Sequence, residues 1–235
     1  MKQSVFRVYN RVKNHLYKNK AVLKVYSLFM SELPNKRAAK KLLKNGYSDL
    51  NMLFATLSNT GFTCFCDFGT LLGFVRDGGF IPHDNDIDLA IVDSQSFNWE
   101  ILEATLKTFG MRKLHYYTYH NKITEQTYAF EDGLTVDFFL YEYLSNGSMI
   151  TYVYYKNHDM VYNNSHDRSV KALIYPSVDS VEQYNVHGIS VTVPSNYEKR
   201  LEDIYGKSWR VPDPKYKPDR RENIMSDLGK KIDTE

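Results

Sequence analysis

The sequence predicts an α+β protein with a helical N-terminal arm. Apolar residues recur at helical spacing near the start and again over 97–109. Two alternating runs flank Asp132-Gly133, and a compact apolar run at 87–92 follows a block of acids. At 235 residues the chain has room for one substantial domain, or one domain with a helical appendage. No internal repeat or low-complexity linker divides it.

Taken in order, Val5, Val8, Val12, Leu16 and Leu23 define one stripe of a basic amphipathic helix. Pro34-Asn35 is expected to break it, with a second helix over about 36–59 ended by Gly61. Residues 62–68 alternate as a strand, Gly69-Thr70 opens a short helix over 71–76, and Gly78-Gly79 marks a loop. A strand at 87–92 leads to a helix over 97–109, with Trp99, Leu102, Leu106 and Phe109 on one face and Gly110 at its end. Runs 124–130 and 134–141 form a hairpin about Asp132-Gly133. Tyr-rich strands continue to about 155, and 186–193 is a β-pattern around Gly188. A helix over 196–205 closes at Gly206, and a Pro-rich tail over 212–218 lies extended on the body. The expected division is a basic helical arm, 1–44, and a catalytic domain, 45–235.

Composition supports a folded chain: 14% aromatic residues, with 19 Tyr and 13 Phe, is far from the profile of disorder. The net charge of +2 conceals an asymmetry. Residues 1–44 hold twelve Lys/Arg against one acid, Glu32; the rest holds eighteen against twenty-seven. Such an arm suits an anionic lipid surface, or packs on the domain with its bases solvated. Nucleic acid is not an expected partner, because no aromatic-basic surface pattern of an RNA-recognition type accompanies the bases. Cys64 and Cys66, one residue apart, share a strand face and are poorly placed to bridge, so reduced buried thiols are expected. No run approaches the roughly 20 apolar residues of a membrane span, and the first residues lack the apolar core of a secretion signal. The expected location is the cytoplasm, either free or peripheral on the inner face of the cell membrane.

Asp84, Asp86 and Asp88 alternate just before an apolar strand, so their side chains fall on one side. Like charges that close demand a cation, and a hard divalent ion with oxygen ligands answers it. A calcium loop of the EF-hand type is excluded, since Leu89 and Gln95 stand where it needs glycine and glutamate. A solvated acidic turn is the plain alternative. Upstream, Gly69-Thr70 at a helix start offers backbone N–H groups and a hydroxyl to a phosphate, or simply caps the helix. Downstream, Asp137 stands alone among Val136, Phe138 and Phe139, where a core strand carries an acid only with a partner.

Gly69-Thr70-Leu71-Leu72-Gly73, Arg76, Gly79-Phe80-Ile81-Pro82 and Asp84 to Asp88 closely resemble the LicD/fukutin family, as do Val136-Asp137-Phe138-Phe139 and the closing segment around Val193-Pro194 and Tyr205-Gly206. The resemblance implies a nucleotidyltransferase-like mixed sheet flanked by helices. It implies metal-dependent transfer of a phospho-alcohol, phosphorylcholine or a polyol phosphate, from a CDP-linked donor to a glycan or glycolipid acceptor such as lipopolysaccharide, capsule or teichoic acid. Asp86, Asp88 and Asp137 would be catalytic and, with Asp84, would hold Mg²⁺ or Mn²⁺. Gly69, Thr70 and Arg76 would bind phosphate. Asp137 would complete a second metal site or take the acceptor's proton; Asp67 borders the pocket or serves the turn. Two residues depart from the family form: His83 stands for Trp, and Asn85 for Asp. A nucleotidyltransferase releasing pyrophosphate would use the same acids. A glycosyltransferase with an Asp-x-Asp metal site and a non-catalytic binding module are the remaining alternatives.

Overall fold

The computed structural model describes residues 20–157, 162–213, 216 and 224–234, with side chains from Asn35 onward. Residues 1–19, which carry most of the expected basic stripe, lie outside them, as do 214, 215, 217 and 218 of the expected tail.

Helix α1 runs Lys20–Leu57 without interruption. The expected break at Pro34 does not occur: proline lacks only its own N–H, and the helix continues on the bonds of its neighbours. Ala39, Leu42, Leu50, Leu53, Phe54 and Leu57 recur at helical spacing and are buried. Each fully buried leucine contributes about 1.5–3 kcal/mol, which fixes this half of the helix to the sheet.

The chain then forms β1 (Cys64–Cys66), α2 (Phe68–Leu72) running into a π-turn (Gly73–Asp77), β2 (Asp86–Val92) and α3 (Trp99–Thr108). Asn98 caps α3, its side chain accepting from the N–H of Glu100 at 2.6 Å and of Ile101 at 3.3 Å. Strands β3 (Arg112–Tyr119), β4 (Lys122–Ala129), β5 (Thr135–Tyr143), β6 (Met149–Tyr155) and β7 (Asp167–Tyr175) follow. The β8 (Val181–Val186) and β9 (Ile189–Pro194) hairpin turns at His187 and Gly188, both at positive φ. Helix α4 (Tyr197–Tyr205) and strand β10 (Gly229–Asp233) complete the described elements.

The main sheet has the order β1-β2-β5-β4-β3-β10-β7-β6, and β5 pairs also with β6. The α+β class holds, but the open mixed sheet does not. Six strands, from β5 through β4, β3, β10 and β7 to β6, close back on β5. The closing pieces are β7 and β10, which no sequence signal marked as strands. Only β2 and β5 pair in parallel among the described strands. Both are buried on two faces. Ile87, Leu89, Val136 and Phe138 join α1 and α3 in one core; Ala90, Phe139 and Tyr141 join Phe65, Met149 and Tyr175 in another. Cys64 and Cys66 are free and buried in the first core, on the shared face that their spacing predicts. Among the described residues no helix is long and apolar enough to cross a membrane.

Candidate functional site

The site grows from the junction of β1, α2 and β2. Strand β1 runs antiparallel to β2, Cys66 pairing with Leu89, so the chain leaving β1 turns directly over Asp88. The N–H of Asp67 donates to the Asp88 carbonyl at 3.0 Å. Phe68 takes φ of +41°, rare for a bulky residue, and packs edge-on to Phe139 with ring centres 5.0 Å apart. That turn brings Gly69 N–H to Asp88 Oδ2 at 3.1 Å, while the Asp88 N–H donates to Thr70 Oγ1 at 2.9 Å. Gly69 and Thr70, expected at a phosphate, thus engage the N–H and the hydroxyl oxygen in holding Asp88. A Cβ on Gly69 would lie 2.7 Å from Asp84 Oδ2 and 3.3 Å from Asp88 Oδ2, so a side chain there would displace the Asp84 carboxylate. The same contacts show Asp84 and Asp88 converging on one glycine.

The parallel register of β2 and β5 sets Asp88 beside Asp137, and the β4–β5 register sets Thr127 beside Asp137. Thr127 Oγ1 donates to Asp137 Oδ1 at 2.5 Å. Asp86 stands two residues before Asp88 on the same face. No Lys, Arg or His forms an ion pair with Asp84, Asp86, Asp88 or Asp137 among the described residues. Burial raises all four, and neighbouring acids add to it at Asp84, Asp88 and Asp137. Burial lifts Asp84 to about 6 and Asp137 to about 7, the Thr127 hydrogen bond opposing the latter. Burial likewise raises Asp86, and it raises Asp88 well above the usual carboxylate range with Asp86 and Asp137 adding to it. The acids share a face without forming a closed shell: among the described residues no three acidic, histidine or cysteine side chains are gathered tightly enough to hold a metal ion unaided.

A cavity of about 400 Å³ reaches this row at Asp84, its lining including Gly69, Arg76 and His83 together with Tyr205, Trp209 and Tyr216. Arg76 forks onto the neighbouring Asp77 carboxylate, Nε at 2.8 Å and Nη2 at 2.6 Å. Tyr216 is tied in place by its hydroxyl, which donates to the Ile204 carbonyl at 2.9 Å.

Arg200, Glu125 and Lys231 escaped the sequence reading, and of the two roles open to Asp67 the structure shows the one at the turn. Asp67 does not face the acids: Arg200 of α4 donates to it twice, Nε at 2.7 Å and Nη2 at 2.6 Å, and the Tyr141 hydroxyl donates at 2.7 Å. Asp67 is 0% and Arg200 2% exposed. The guanidinium lies 4.8 Å from the Tyr141 ring centre and 5.1 Å from that of Tyr175. Nothing in the spacing of α4 marks Arg200. Glu125, buried on β4, was available to the argument that found Asp137, an acid inside a strand. Lys231 of β10, whose charge acts on Asp137 and Glu125, had no signal at all.

Among known proteins, the chain is 30% identical over 191 residues to the uncharacterized protein T07A5.1 of Caenorhabditis elegans, which covers 79% of this chain and 46% of that protein. It is 28% identical over 151 residues to a second protein of that organism, the uncharacterized W02B3.4, covering 62% and 36%. The chain thus spans less than half the length of the curated relatives it matches. A lincomycin-bound crystal structure of the lincosamide antibiotic adenylyltransferase LnuA aligns with 66% of this chain and 82% of its own, at a TM-score of 0.41 and 15% identity. The model of the LicD/FKTN/FKRP nucleotidyltransferase domain matches residues 61–196, more than half of the sequence, and the chain belongs to that transferase family.

Proposed function

We propose that the chain moves a phospho-alcohol, phosphorylcholine or a polyol phosphate, from a CDP-linked donor to a hydroxyl of a cell-surface glycan, with release of CMP. The observation that carries this reading is the cavity beside Gly69 and Asp84. Its aromatic residues suit a nucleobase, and Asp84 joins it to the acidic row where a diphosphate would sit. Arg76, which also lines the cavity, would be a planar fork for phosphate oxygens once it leaves Asp77.

The donor set fits Mg²⁺ or Mn²⁺. The ligands are hard oxygens, no protein cation forms an ion pair with them among the described residues, and Mg²⁺ ordinarily takes only one or two carboxylates with substrate phosphates and water completing its shell. Asp86, Asp88 and Asp137 would hold the ion, with Asp84 as a further ligand or a support. When bound it supplies charge neutralisation for the donor's diphosphate. The chain's own contribution is placement: Gly69 and Thr70 fix Asp88, Thr127 fixes Asp137, and the Asp67–Arg200 pair fixes the turn between them. Phosphoryl transfer asks chiefly for such positioning and charge.

The test is to incubate the protein and Mg²⁺ with CDP-choline, CDP-ribitol, CDP-glycerol and CDP-ethanolamine and to follow CMP. Release from one of them, abolished by Asp88→Ala, is the expected result. Pyrophosphate release from a nucleoside triphosphate instead would make the chain a nucleotidyltransferase.

A further inference from the structure

We propose that Lys231, Arg168 and His115 form a subsite for an oxyanion, a phosphate or a carboxylate, carried by the acceptor. The inference rests on the transfer reading above and adds to it the acceptor's charge. The three residues stand on three adjacent strands of the closed part of the sheet, β10, β7 and β3.

The register sets them on the face that carries the acids. Thr127 stands across from both Asp137 and His115, and His115 across from Asp233, so these four make one row over β5, β4, β3 and β10. Glu125, Tyr117 and Lys231 make the next row, two residues along each strand and therefore on the same face. Arg168 pairs with Gly229, again two residues from Lys231. Deeper in the closed sheet this face is filled. Tyr117 stacks on Tyr154 with ring centres 4.6 Å apart, and a Cβ on Gly229 would collide with the Tyr154 ring. At the rim it meets solvent: the side chains of Lys231 and Asp233 are 23% and 67% exposed, Arg168 and His115 are half-buried, and His166 is exposed.

The fold makes little use of these groups. The Lys231 ammonium has one partner among the described residues, the exposed Asp233 at 3.1 Å, and so exposed a pair contributes little. Arg168 gives Nη1 to the Ser165 and Asp167 carbonyls at 2.7 and 2.8 Å, while its Nε and Nη2 make no hydrogen bond among the described residues. Burial and the Lys231 charge push His115 down to about 4, with Arg168 adding to the effect, so a neutral ring stands beside two cations and offers one N–H.

Their place in the strand order assigns them to the acceptor. The cavity meets the acidic row at Asp84, just before β2, whereas β3, β10 and β7 lie beyond Asp137 and β4. An acceptor attacking in line with the departing CMP comes from the side away from the nucleotide. An anionic acceptor approaching there faces repulsion from the acids, which two cations at the rim offset.

Calorimetry on the full chain tests this with inorganic phosphate, glucose 6-phosphate, glucuronate and glucose, each titrated into protein saturated with CDP and Mg²⁺. At least one anion should bind and glucose should not; binding by the phosphates alone or by glucuronate alone names the oxyanion. Lys231→Gln should weaken anion binding about 10-fold or more, and Lys231→Arg should keep it. In both variants CDP binding should stay within about threefold, since a half-exposed charge acts weakly on the donor side. Failure of every anion to bind, equal binding by glucose, or anion binding that Lys231→Gln leaves unchanged overturns the proposal. CDP binding lost with Lys231→Gln would give the lysine to the metal centre and overturn it as well. A wild type that releases CMP from no donor sinks the transfer reading instead, and the anion titrations are read without it.

Discussion

Asp67 and Asp137 are both buried acids, and their surroundings give them opposite fates. Asp67 meets Arg200 in a two-pronged pair and a tyrosine hydroxyl; Asp137 meets one threonine and other acids. The first is therefore a strut and the second a site. Replacing Arg200 by Leu would leave Asp67 buried without its ion-pair partner, and should cost about 3–5 kcal/mol in urea unfolding. For Asp137 the sign runs the other way. Its folded value of about 7 lies above the usual carboxylate value, so its contribution is present in acid and is lost as pH rises through 7. Without divalent cation, Asp137→Asn should melt above the wild type at pH 8, and the gap should close towards pH 5. A gap that stays constant over that range would show that Asp137 does not titrate there. The sequence made Asp86, Asp88 and Asp137 visible because acids are conspicuous among apolar strand residues. It hid the strut role of Asp67, whose partner is 133 residues away in sequence.

At the scale of elements, the strongest local signals were the most faithful. Asp132-Gly133 gives a hairpin because the Asp132 side chain accepts from Leu134 N–H at 2.8 Å and Gly133 adopts φ of +87°. Helix α3 and the end of α4 follow equally local chemistry, an asparagine cap and a glycine at positive φ. Strands β7 and β10 were invisible for a physical reason. Their residues are mixed in polarity, as in Gly229-Lys230-Lys231-Ile232-Asp233, and their pairing partners are remote, so no local rule identifies them. Pro34 misled in the other direction, since a helix anchored by a buried apolar stripe tolerates one missing N–H. The turn after α2 depends on backbone contact: a Cβ on Gly73 would lie 2.5 Å from the Gly79 carbonyl oxygen. Gly73→Ala should accordingly lower the melting temperature and weaken CDP binding together, because the π-turn carries Arg76. An unchanged melting curve would show that the turn adapts freely.

For the molecule as a whole, closure of the sheet explains how residues from the two ends of the domain meet. The motif-bearing strands β2 and β5 form one wall, and β10, outside the matched family region, brings Lys231 within electrostatic reach of Asp137. The basic arm is a separate question of charge. With twelve bases against one acid over 1–44, binding to anionic vesicles should disappear on deletion of residues 1–30 while calorimetric CDP binding persists. Vesicle binding that survives the deletion would assign it to residues beyond 30 instead. The central claim, that the Asp84-Asn85-Asp86-Ile87-Asp88 row is a metal and diphosphate centre, is tested most directly by titrating Mn²⁺ into wild type and Asp88→Asn in the presence of CDP. The account predicts saturable Mn²⁺ binding that needs CDP for full affinity and is lost in Asp88→Asn. Equal binding by the two proteins, or no effect of CDP, would contradict it.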